Sequence, residues 1–433
     1  MKRYETYKDS GVQWLGEIPK HWDVKRLKSV VKEHYSGLWG EDAKQSDFDR
    51  LCIRIADFDF DTQTVSPTAS TYRNYNEKQI MSTTLQDNDL LLEKSGGGDK
   101  TPVGRVVVYD KRVHESALFA NFCECLRIRT EQSPRFIAYL LKVVYIKTMM
   151  RQFYKQTTGL QNIDIPDYLG MKIILPPIAE QEAIVAFLDE KTAEIDGLVR
   201  QVEREIELLK EYKQAEIARV VTHGLNPNAP MKPSGISWIG DIPEHWQVDK
   251  ISQHFTERRE KVSDKDFPAL SVSKEGVTPQ LETAVKTDNG DNRKKVCKGD
   301  FVVNSRSDRK GSCGFSAYDG SVSLINIVLK PRDINGRYYH YMFRSNNYIE
   351  EFYRLGRGIV ADLWTTRYIE MRNIMIPIPP LNEQQEIVDY IDRKTTEIDR
   401  LLVELTYQVE YLKEYKQRLI ADVVTGKINV QPN

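Results

Sequence analysis

The 433-residue chain carries 62 lysines and arginines against 63 aspartates and glutamates, and 40% of its residues are hydrophobic. This length exceeds one ordinary domain, and the composition is typical of a globular protein rather than of a disordered one. No apolar stretch is long enough to cross a bilayer, and the charged opening MKRYETYKDSG does not resemble a signal peptide, so we expect a cytoplasmic protein.

The near-zero net charge conceals an alternation along the chain. Residues 1–178 hold 26 basic and 23 acidic residues, and residues 226–380 hold 23 and 19. Residues 179–225 hold 6 and 11, and residues 381–433 hold 7 and 10. Two mildly basic blocks therefore alternate with two acidic blocks, which keeps a polyanionic partner open despite the overall balance.

One short motif is written twice. SGVQWLGEIPKHWDV begins at Ser10 and SGISWIGDIPEHWQV begins at Ser234, with nine of fifteen positions identical. We expect its tryptophans to clamp the start of each basic block onto a sheet or helix, because core packing is a commoner role for tryptophan than base stacking. These are four of the six tryptophans in the chain: Trp14, Trp22, Trp238 and Trp246.

The two basic blocks show a mixed α/β pattern. Short β-rich runs such as DLLLEKSGGG, GRVVVYD and CECLRIRT have counterparts in DFVVNSRSDRKG, GFSAYDG and VSLINIVLKP. Helical stretches are predicted near 134–156 and 336–355.

The two acidic blocks predict long helices. The 47 residues from Pro176 match those from Pro379 at 25 positions, and both are rich in glutamate, lysine, glutamine and leucine, which are good helix formers. Each has one apolar seam that needs a partner, and the other copy is the nearest candidate. The residues predicted at the a and d positions are Ile195, Leu198, Val202, Leu209 and Tyr212, with Ile398, Leu401, Leu405, Leu412 and Tyr415.

The predicted fold is therefore a tandem duplication of α/β (α+β) domains, each followed by a long helix, with pseudo-twofold symmetry. The predicted divisions are domain 1 at 1–178, helix 1 at 179–225, domain 2 at 226–380 and helix 2 at 381–433. Repeats of this length are duplicated domains rather than solenoid units.

Motifs for catalysis or metal binding are missing from the sequence. There is no GxGxxG or GxxxxGK[ST], and the two Pro-Pro sites lack the preceding amide or carboxylate of an amino-methyltransferase. The five cysteines have no CxxC spacing, so buried thiols are expected, and the seven histidines show no paired-ligand spacing. LDEK at 188–191 resembles nuclease carboxylates only superficially, because it lies on the predicted helix and its copy reads IDRK. We therefore expect no catalytic residue, no metal site and no enzyme activity.

The opening motif, the two PPxxEQ junctions and the EIDxL…LKEYKQ helices together resemble the specificity subunit of type I restriction-modification systems. The resemblance covers essentially the whole chain. It implies a DNA-binding subunit of a phage-defence and DNA-methylation system, with its two helices paired as an antiparallel coiled coil that sets the distance between two recognition domains. It also implies double-stranded DNA and two modification subunits carrying S-adenosylmethionine as partners, with two restriction subunits using Mg and ATP where the complex also cleaves. This chain would hold no cofactor and contact no membrane.

Twofold DNA readers meet half-sites about one helical turn apart, and the two basic blocks differ, so an asymmetric bipartite target is expected. Phosphate and base contacts favour basic and polar side chains on loops, which indicates residues 93–101 and 151–162 in domain 1 and 305–311 and 354–367 in domain 2. The candidate DNA-binding residues are Lys94, Ser95, Lys100, Thr101, Arg151, Lys155, Thr157, Thr158, Gln161, Asn162, Lys274, Arg306, Arg309, Lys310, Arg354, Arg357, Thr366 and Arg367.

Two alternatives stay open on the sequence alone: a methyltransferase or nuclease with an unrecognised site, and a coiled-coil protein scaffold. For any single arginine, a solvated or salt-bridged surface charge is the simpler interpretation. The candidate contacts with partner subunits, beside the heptad positions, are Glu180, Gln181, Glu383 and Gln384.

Overall fold

A computed structural model describes residues 2–98, 101–147, 149–157, 160–280, 290–358 and 364–431, without the side chains of residues 156 and 157. The chain forms two compact units, one of Met1–Gln201 with Gln408–Asn433 and one of Val202–Tyr407. Both boundaries fall inside long helices. Each unit therefore contains the first half of one long helix and the second half of the other.

The first unit begins with a two-stranded ribbon and continues into two sheets. Its strands are β1 (Tyr7–Asp9), β2 (Glu17–Pro19), β3 (Asp23–Arg26), β4 (Val31–Ser36), β5 (Glu41–Asp42), β6 (Asp49–Ile53), β7 (Phe58–Asp59), β8 (Thr64–Val65), β9 (Tyr72–Asn74), β10 (Leu90–Glu93), β11 (Val106–Val108), β12 (Ala117–Phe119), β13 (Cys123–Ile128), β14 (Tyr154–Thr157), β15 (Leu160–Ile163) and β16 (Lys172–Leu175). Its helices are α1 (Glu77–Thr83), α2 (Pro134–Ile146), α3 (Ile165–Gly170) and the start of α4 (Ile178–His223), with 3-10 turns at Leu27–Ser29, Ile55–Asp57 and Met149–Phe153.

The larger sheet of the first unit has the order β4-β13-β10-β11-β8-β7, and its first four strands are antiparallel. All residues of β10 and β11 are buried, because α2 covers this sheet with a continuous buried run from Phe136 to Val144. A smaller sheet, β12-β6-β9-β5, stands beside it. The strands β16 and β3 pair antiparallel and lead into α4.

The second unit repeats this plan with fewer added strands. Its strands are β17 (Met231–Pro233), β18 (Asp241–Pro243), β19 (Gln247–Lys250), β20 (Phe255–Glu257), β21 (Lys261–Val262), β22 (Leu270–Ser273), β23 (Gly276–Pro279), β24 (Arg293–Val296), β25 (Phe301–Asn304), β26 (Cys313–Phe315), β27 (Gly320–Val322), β28 (Asn326–Pro331) and β29 (Met375–Ile378). Its helices are α5 (Ile251–His254), α6 (Gly336–Phe343), α7 (Asn346–Arg354), α8 (Tyr368–Met371) and the start of α9 (Leu381–Val424), with a 3-10 turn at Ser307–Arg309.

The order β20-β28-β25-β26 in the second unit matches β4-β13-β10-β11 in the first. The added parts differ: the second unit has a three-stranded sheet, β21-β24-β27, and a hairpin, β22-β23. Its core is rich in aromatic residues, with Tyr338, Tyr339, Phe343, Tyr348 and Phe352 all buried. The duplication therefore preserves one antiparallel arrangement of four strands and varies what is attached to it.

The two long helices lie close to the predicted ranges. The second helix ends at Val424, before the predicted 433, because Gly426 adopts a left-handed φ of 74° that stops the helix. The stretch predicted as helical near 134–156 is helical only to Ile146, since residues from Tyr154 pair with β15 instead. Among the described residues, each helix is either too short or too polar to span a lipid bilayer.

Candidate nucleic-acid interface

The first helix junction is built on Glu180, in the first turn of α4. Its carboxylate accepts hydrogen bonds from Trp22 Nε1 at 2.8 Å and from the hydroxyl of Tyr4 at 3.3 Å, and it pairs with His21 Nε2 at 2.6 Å. Trp22 is fully buried. The HW dipeptide of the opening motif is thus tied directly to the glutamate of the PPxxEQ junction.

The second junction repeats these contacts. Glu383, in the first turn of α9, accepts a hydrogen bond from Trp246 Nε1 at 2.9 Å and pairs with His245 Nε2 at 2.7 Å. Trp246 is also fully buried, whereas Trp14 and Trp238 are half-buried. The opening motif occurs twice because each junction needs its own histidine and tryptophan for its own glutamate.

Each junction also receives the end of the other long helix. In the first unit, Gly426 just after α9 has a φ of 74°, and a Cβ there would lie 2.7 Å from Pro19 Cγ and 3.0 Å from Trp22. In the second unit, Gly224 just after α4 has a φ of 75°, and its Cβ would lie 3.0 Å from Glu383 Oε1 and 3.3 Å from Trp246. Glycine is required at both places by conformation and by space.

The buried glutamine of each junction attaches a long helix to the recognition block that precedes it. Gln181 and Gln384 are both buried, and their side-chain oxygens accept from the backbone N–H of Ser133 at 3.0 Å and of Asn335 at 2.9 Å. Ser133 and Asn335 are the N-cap residues of α2 and α6. Gln181 and Gln384 were predicted to contact partner subunits; this is corrected, because their amides are satisfied inside the chain.

The carboxylates of LDEK and IDRK have a structural role in the same region. Asp189 accepts from Tyr139 at 2.6 Å and pairs with Arg135 at 3.2 Å. Asp392 pairs with Arg337 at 2.8 Å and accepts from the hydroxyl of Tyr341. Asp189 therefore fixes α2 to the long helix α4, and Asp392 fixes α6 to the long helix α9.

The long helices are joined by one repeated ion pair. In the first unit Lys416 of α9 contacts both oxygens of Asp196 of α4 at 2.7 Å. In the second unit Lys213 of α4 contacts Asp399 of α9 at 2.6 and 2.7 Å. Lys213 and Lys416 are equivalent residues 203 apart, as are Asp196 and Asp399, so the two helices exchange roles between the units. The first half of each helix meets the second half of the other, which is an antiparallel arrangement.

The predicted heptad positions are partly wrong. Ile195, Val202 and Ile398 are buried, and Leu209, Leu405 and Leu412 are half-buried. The remaining four are exposed: Leu198, Tyr212, Leu401 and Tyr415. The less exposed positions lie one residue further on, where Val199 and Lys416 are buried and Lys213 and Leu402 are half-buried. A lysine does not belong to an apolar pattern, so the heptad pattern predicts the neighbouring tyrosine at that position instead.

In the first unit, the structure brings the two predicted DNA-binding segments together. The backbone of Gly96 donates to Gln161 at 3.1 Å, Ile163 donates to Lys94 at 2.8 Å, and Ser95 bridges Asn162. The loop after β10 therefore lies along the hairpin β14-β15. We call residues 94–98 with 154–157 and 160–163 the first loop edge.

The second unit has the same arrangement. The backbone of Thr366 donates to Ser305 at 2.9 Å, Ser307 donates to Trp364 at 2.9 Å, and Arg306 bridges Thr365. We call residues 305–311, 354–358 and 364–367 the second loop edge. A cleft of about 860 Å³ opens beside it, lined by Trp238, Lys310, Arg354 and Trp364 among others.

The individual candidate DNA-binding residues differ in burial and in their contacts. Thr366 is fully buried with its hydroxyl donating to Phe352 O at 2.9 Å, so its prediction as a DNA contact is corrected. Lys94 is bound to the buried Glu124 at 3.0 Å and to Ser36. The exposed candidates in the described part of the chain are Thr101, Arg151, Lys155, Lys274, Arg306, Arg309, Lys310, Arg354, Arg357 and Arg367, and Ser95, Gln161 and Asn162 are half-buried. Lys100, Thr158 and the side chain of Thr157 lie outside the described residues.

Two exposed apolar residues lie directly beside the loop edges, and a pattern of basic and polar side chains does not reveal them. Phe122 precedes β13, and its carbonyl accepts from Lys94 N at 3.0 Å. Ile325 precedes β28 at the equivalent place, and its carbonyl accepts from the hydroxyl of Ser305 at 2.6 Å. Their matched positions before equivalent strands were the available signal.

Two recognition blocks with repeated junctions and differing loop edges, joined by an antiparallel helix pair, define a two-module recognition protein. The chain belongs to the family of the type I restriction modification DNA specificity domain, whose family model matches residues 19–208 and 243–410. It is the DNA specificity subunit of a type I restriction-modification system, and it is a non-catalytic recognition subunit of a family that carries no cofactor itself.

Curated relatives agree along most of the chain. The putative type I restriction enzyme MjaX specificity subunit of Methanocaldococcus jannaschii is 24% identical over 433 residues, covering 96% of both chains. The type I restriction enzyme EcoKI specificity subunit of Escherichia coli strain K12 is 21% identical, covering 80% of this chain and 76% of that protein. The sequence-based prediction of the family is confirmed.

Solved structures support the fold. A chain from "Structural basis underlying complex assembly and conformational transition of the type I R-M system" matches with a TM-score of 0.68 and 15% identity, covering 95% of this chain and 99% of that one. The HsdS subunit from Thermoanaerobacter tengcongensis matches with a TM-score of 0.57 and 15% identity, covering 95% and 98%. The predicted α/β recognition domains with paired long helices are confirmed.

Proposed function

We propose that this specificity subunit reads an asymmetric, bipartite DNA target, with one half-site read at each loop edge. The supporting observation is the contrast between the junctions and the loop edges. The junctions repeat Trp, His, Glu and Gln contacts residue for residue, whereas the loop edges share a backbone arrangement but present different side chains. A constant frame with variable loops suits two modules that read different bases.

Within this proposal, the exposed basic residues of the loop edges contact DNA. Arg306 precedes the 3-10 turn Ser307–Arg309 of the second loop edge and Arg309 ends it, and a guanidinium can pair with both acceptors of a guanine. Phe122 and Ile325 add apolar surface that suits contact with thymine methyl groups.

The proposal also includes the rest of the complex. Two equivalent junctions favour two modification subunits, one associated with each unit, and two restriction subunits where the system also cleaves. Methyl transfer, with its S-adenosylmethionine, would be done by the modification subunits on cytoplasmic DNA.

A module exchange tests the proposal. Residues 25–175 are replaced by the equivalent segment of another specificity subunit, which keeps Tyr4, Trp22, Glu180 and the whole second unit. Methylated sites are then mapped genome-wide in cells carrying the partner subunits. We expect one half-site to change and the other to stay fixed. The matched control replaces residues 249–378 and should change only the other half; a change in both halves for either chimera would refute independent reading.

A further inference from the structure

Several cations of the second loop edge are paired with carboxylates of the same unit. Arg306 Nε lies 2.9 Å from Asp308, Lys310 Nζ lies 2.6 Å from Glu350, and Arg354 Nε lies 2.7 Å from Glu351. Arg357 is 3.7 Å from Glu370. In the first unit, Lys155 is paired with Asp164 in the same way.

The exposed pairs Arg306–Asp308 and Lys310–Glu350 contribute little to stability. Lys310 is 43% exposed and Glu350 is 69% exposed, and pairs this exposed are worth about 0–1 kcal/mol. Glu350 and Glu351 project from α7 toward the loop edge, where the backbone is already held by hydrogen bonds to residues 364–366. The carboxylates therefore need another explanation at a surface proposed to meet a polyanion.

Their effect on DNA binding follows from electrostatics. Affinity for any phosphate backbone grows with the number of cations that neutralise phosphates, whatever the sequence. A cation already paired with a carboxylate gains less from a phosphate, because it must first give up its partner. Since specificity is a difference between two affinities, carboxylates that weaken binding to every sequence can raise the ratio for the correct one.

We infer that Asp308, Glu350 and Glu351 are specificity-determining residues of the second module. They hold Arg306, Lys310 and Arg354 in internal ion pairs on non-target DNA, and the pairs open only where base contacts at the loop edge offset their loss. The inference rests on the proposed function, since it requires this edge to meet DNA.

The test uses the full chain assembled with its modification subunits. The double variant Glu350→Gln/Glu351→Gln and the single variant Asp308→Asn are compared with the unmodified chain on a target duplex and on a duplex without the target, between 50 and 200 mM salt. We expect about a tenfold gain in affinity for the non-target duplex, and a salt slope steeper by about 1 for each cation that now reaches a phosphate. Target affinity should rise less, so the specificity ratio falls.

Glu404→Gln is the matched control. It removes the same charge from an exposed ion pair with Arg400 at 3.0 Å on α9, and should leave the non-target affinity and its salt slope unchanged. Unchanged non-target binding in the double variant would overturn the inference. So would a loss of target affinity without any gain elsewhere, which would mean that the carboxylates only tether the loop.

The variants Lys310→Ala and Arg309→Ala distinguish a failure of the inference from a failure of the proposed function. If both variants leave the affinity for every duplex unchanged, the second loop edge does not contact DNA, and both the proposed function and the inference are refuted. If they lower affinity while the glutamine variants change nothing, only the inference falls. Thermal unfolding of each variant shows whether its fold is retained.

Discussion

The helix junctions and the loop edges both occur twice in the chain, but the two junctions resemble each other much more closely than the two loop edges do. Each junction keeps a tryptophan, a histidine, a glutamate and a glutamine in the same contacts, although the two recognition blocks around them have different sheets. The loop edges keep only backbone pairing. Buried polar groups need their partners, so the junctions resist change, while exposed loops are free to vary.

The largest expected effect comes from lengthening the helix pair. Four residues are inserted within Val199–Glu207 of α4 and four at the equivalent place, 402–410, of α9, so that the ion pairs Asp196–Lys416 and Lys213–Asp399 are both kept. Four residues add about 6 Å and a rotation of about 40°. We expect the spacer between half-sites to grow by one or two base pairs, with methylation of the original target lost and both half-sites retained. Mapping of methylated sites measures this.

A single insertion in α4 is the control for that result. It lengthens α4 between Asp196 and Lys213 but leaves α9 unchanged between Asp399 and Lys416, so one of the two ion pairs must break. We expect a less stable protein without one sharply preferred spacer. If the paired insertions leave the spacer as it was, the helices do not set the distance between half-sites.

Removing a junction glutamate should be the next largest effect. Glu180→Ala deprives Trp22, His21 and Tyr4 of their common acceptor, and we expect it to lower the free energy of unfolding by about 3–4 kcal/mol. Glu383→Ala should cost about 1 kcal/mol less, because only Trp246 and His245 lose a partner there. Urea unfolding measures both. Glu180→Gln keeps an acceptor oxygen and should recover part of the loss; a cost below 1 kcal/mol for either alanine variant would contradict the role of the junctions.

The repeated ion pair of the helices sharpens the comparison, because its two copies differ in burial. Lys416 is 8% exposed and Lys213 is 22% exposed, and Asp399 is more exposed than Asp196. We expect Lys416→Met to lower the free energy of unfolding by about 2–3 kcal/mol, since it leaves a carboxylate in a partly buried seam. Lys213→Met should cost less than about 1 kcal/mol. The double variant Lys416→Met/Asp196→Leu should recover most of the stability, and equal costs for the two lysines would refute the effect of burial.

The architecture could be predicted from the sequence, because a duplicated motif indicates a repeated structural unit even when the contacts of its residues are unknown. The repeats at Ser10 and Ser234 and at Pro176 and Pro379 predicted two blocks and two helices. What the motifs touch could not be read from them. The link from Trp22 to Glu180 joins residues 158 apart, and no periodicity reports such a distance.

The sequence predicted the segments that form the loop edges, but not that the segments of each unit lie together on one surface. Their basic residues could be named from composition, and the structure shows that each pair of segments lies side by side. Thr366 looked like a polar loop residue, but its hydroxyl is buried against Phe352 O because the strand-like segment turns inward there. Burial of a single polar side chain depends on tertiary packing, which local sequence does not encode.

The last and smallest prediction concerns a difference between α2 and α6. Lys142 of α2 donates to the carbonyls of Phe60 at 2.7 Å and Asp61 at 3.0 Å, and the equivalent Arg344, the C-cap residue of α6, donates to those of Cys313 and Lys274. Both side chains attach a scaffold helix to a neighbouring turn or strand. Only the lysine can lose its charge at moderate pH.

Burial lowers the pKa of Lys142 to about 7, with further lowering by Lys416 and Arg135 and a partial opposing effect of Asp61 and Asp196. An unfolded lysine has a pKa near 10.4, so between about pH 7 and 10 the unfolded chain binds a proton that the folded chain does not. The free energy of unfolding therefore rises with pH over that window. Relative to Lys142→Met, which cannot titrate, we expect the unmodified chain to gain about 2 kcal/mol between pH 7 and 9. Urea unfolding at several pH values measures the two curves. Lys142→Arg stays charged throughout and should run parallel to the methionine variant, and if the unmodified chain runs parallel to both, Lys142 keeps its proton in the folded protein.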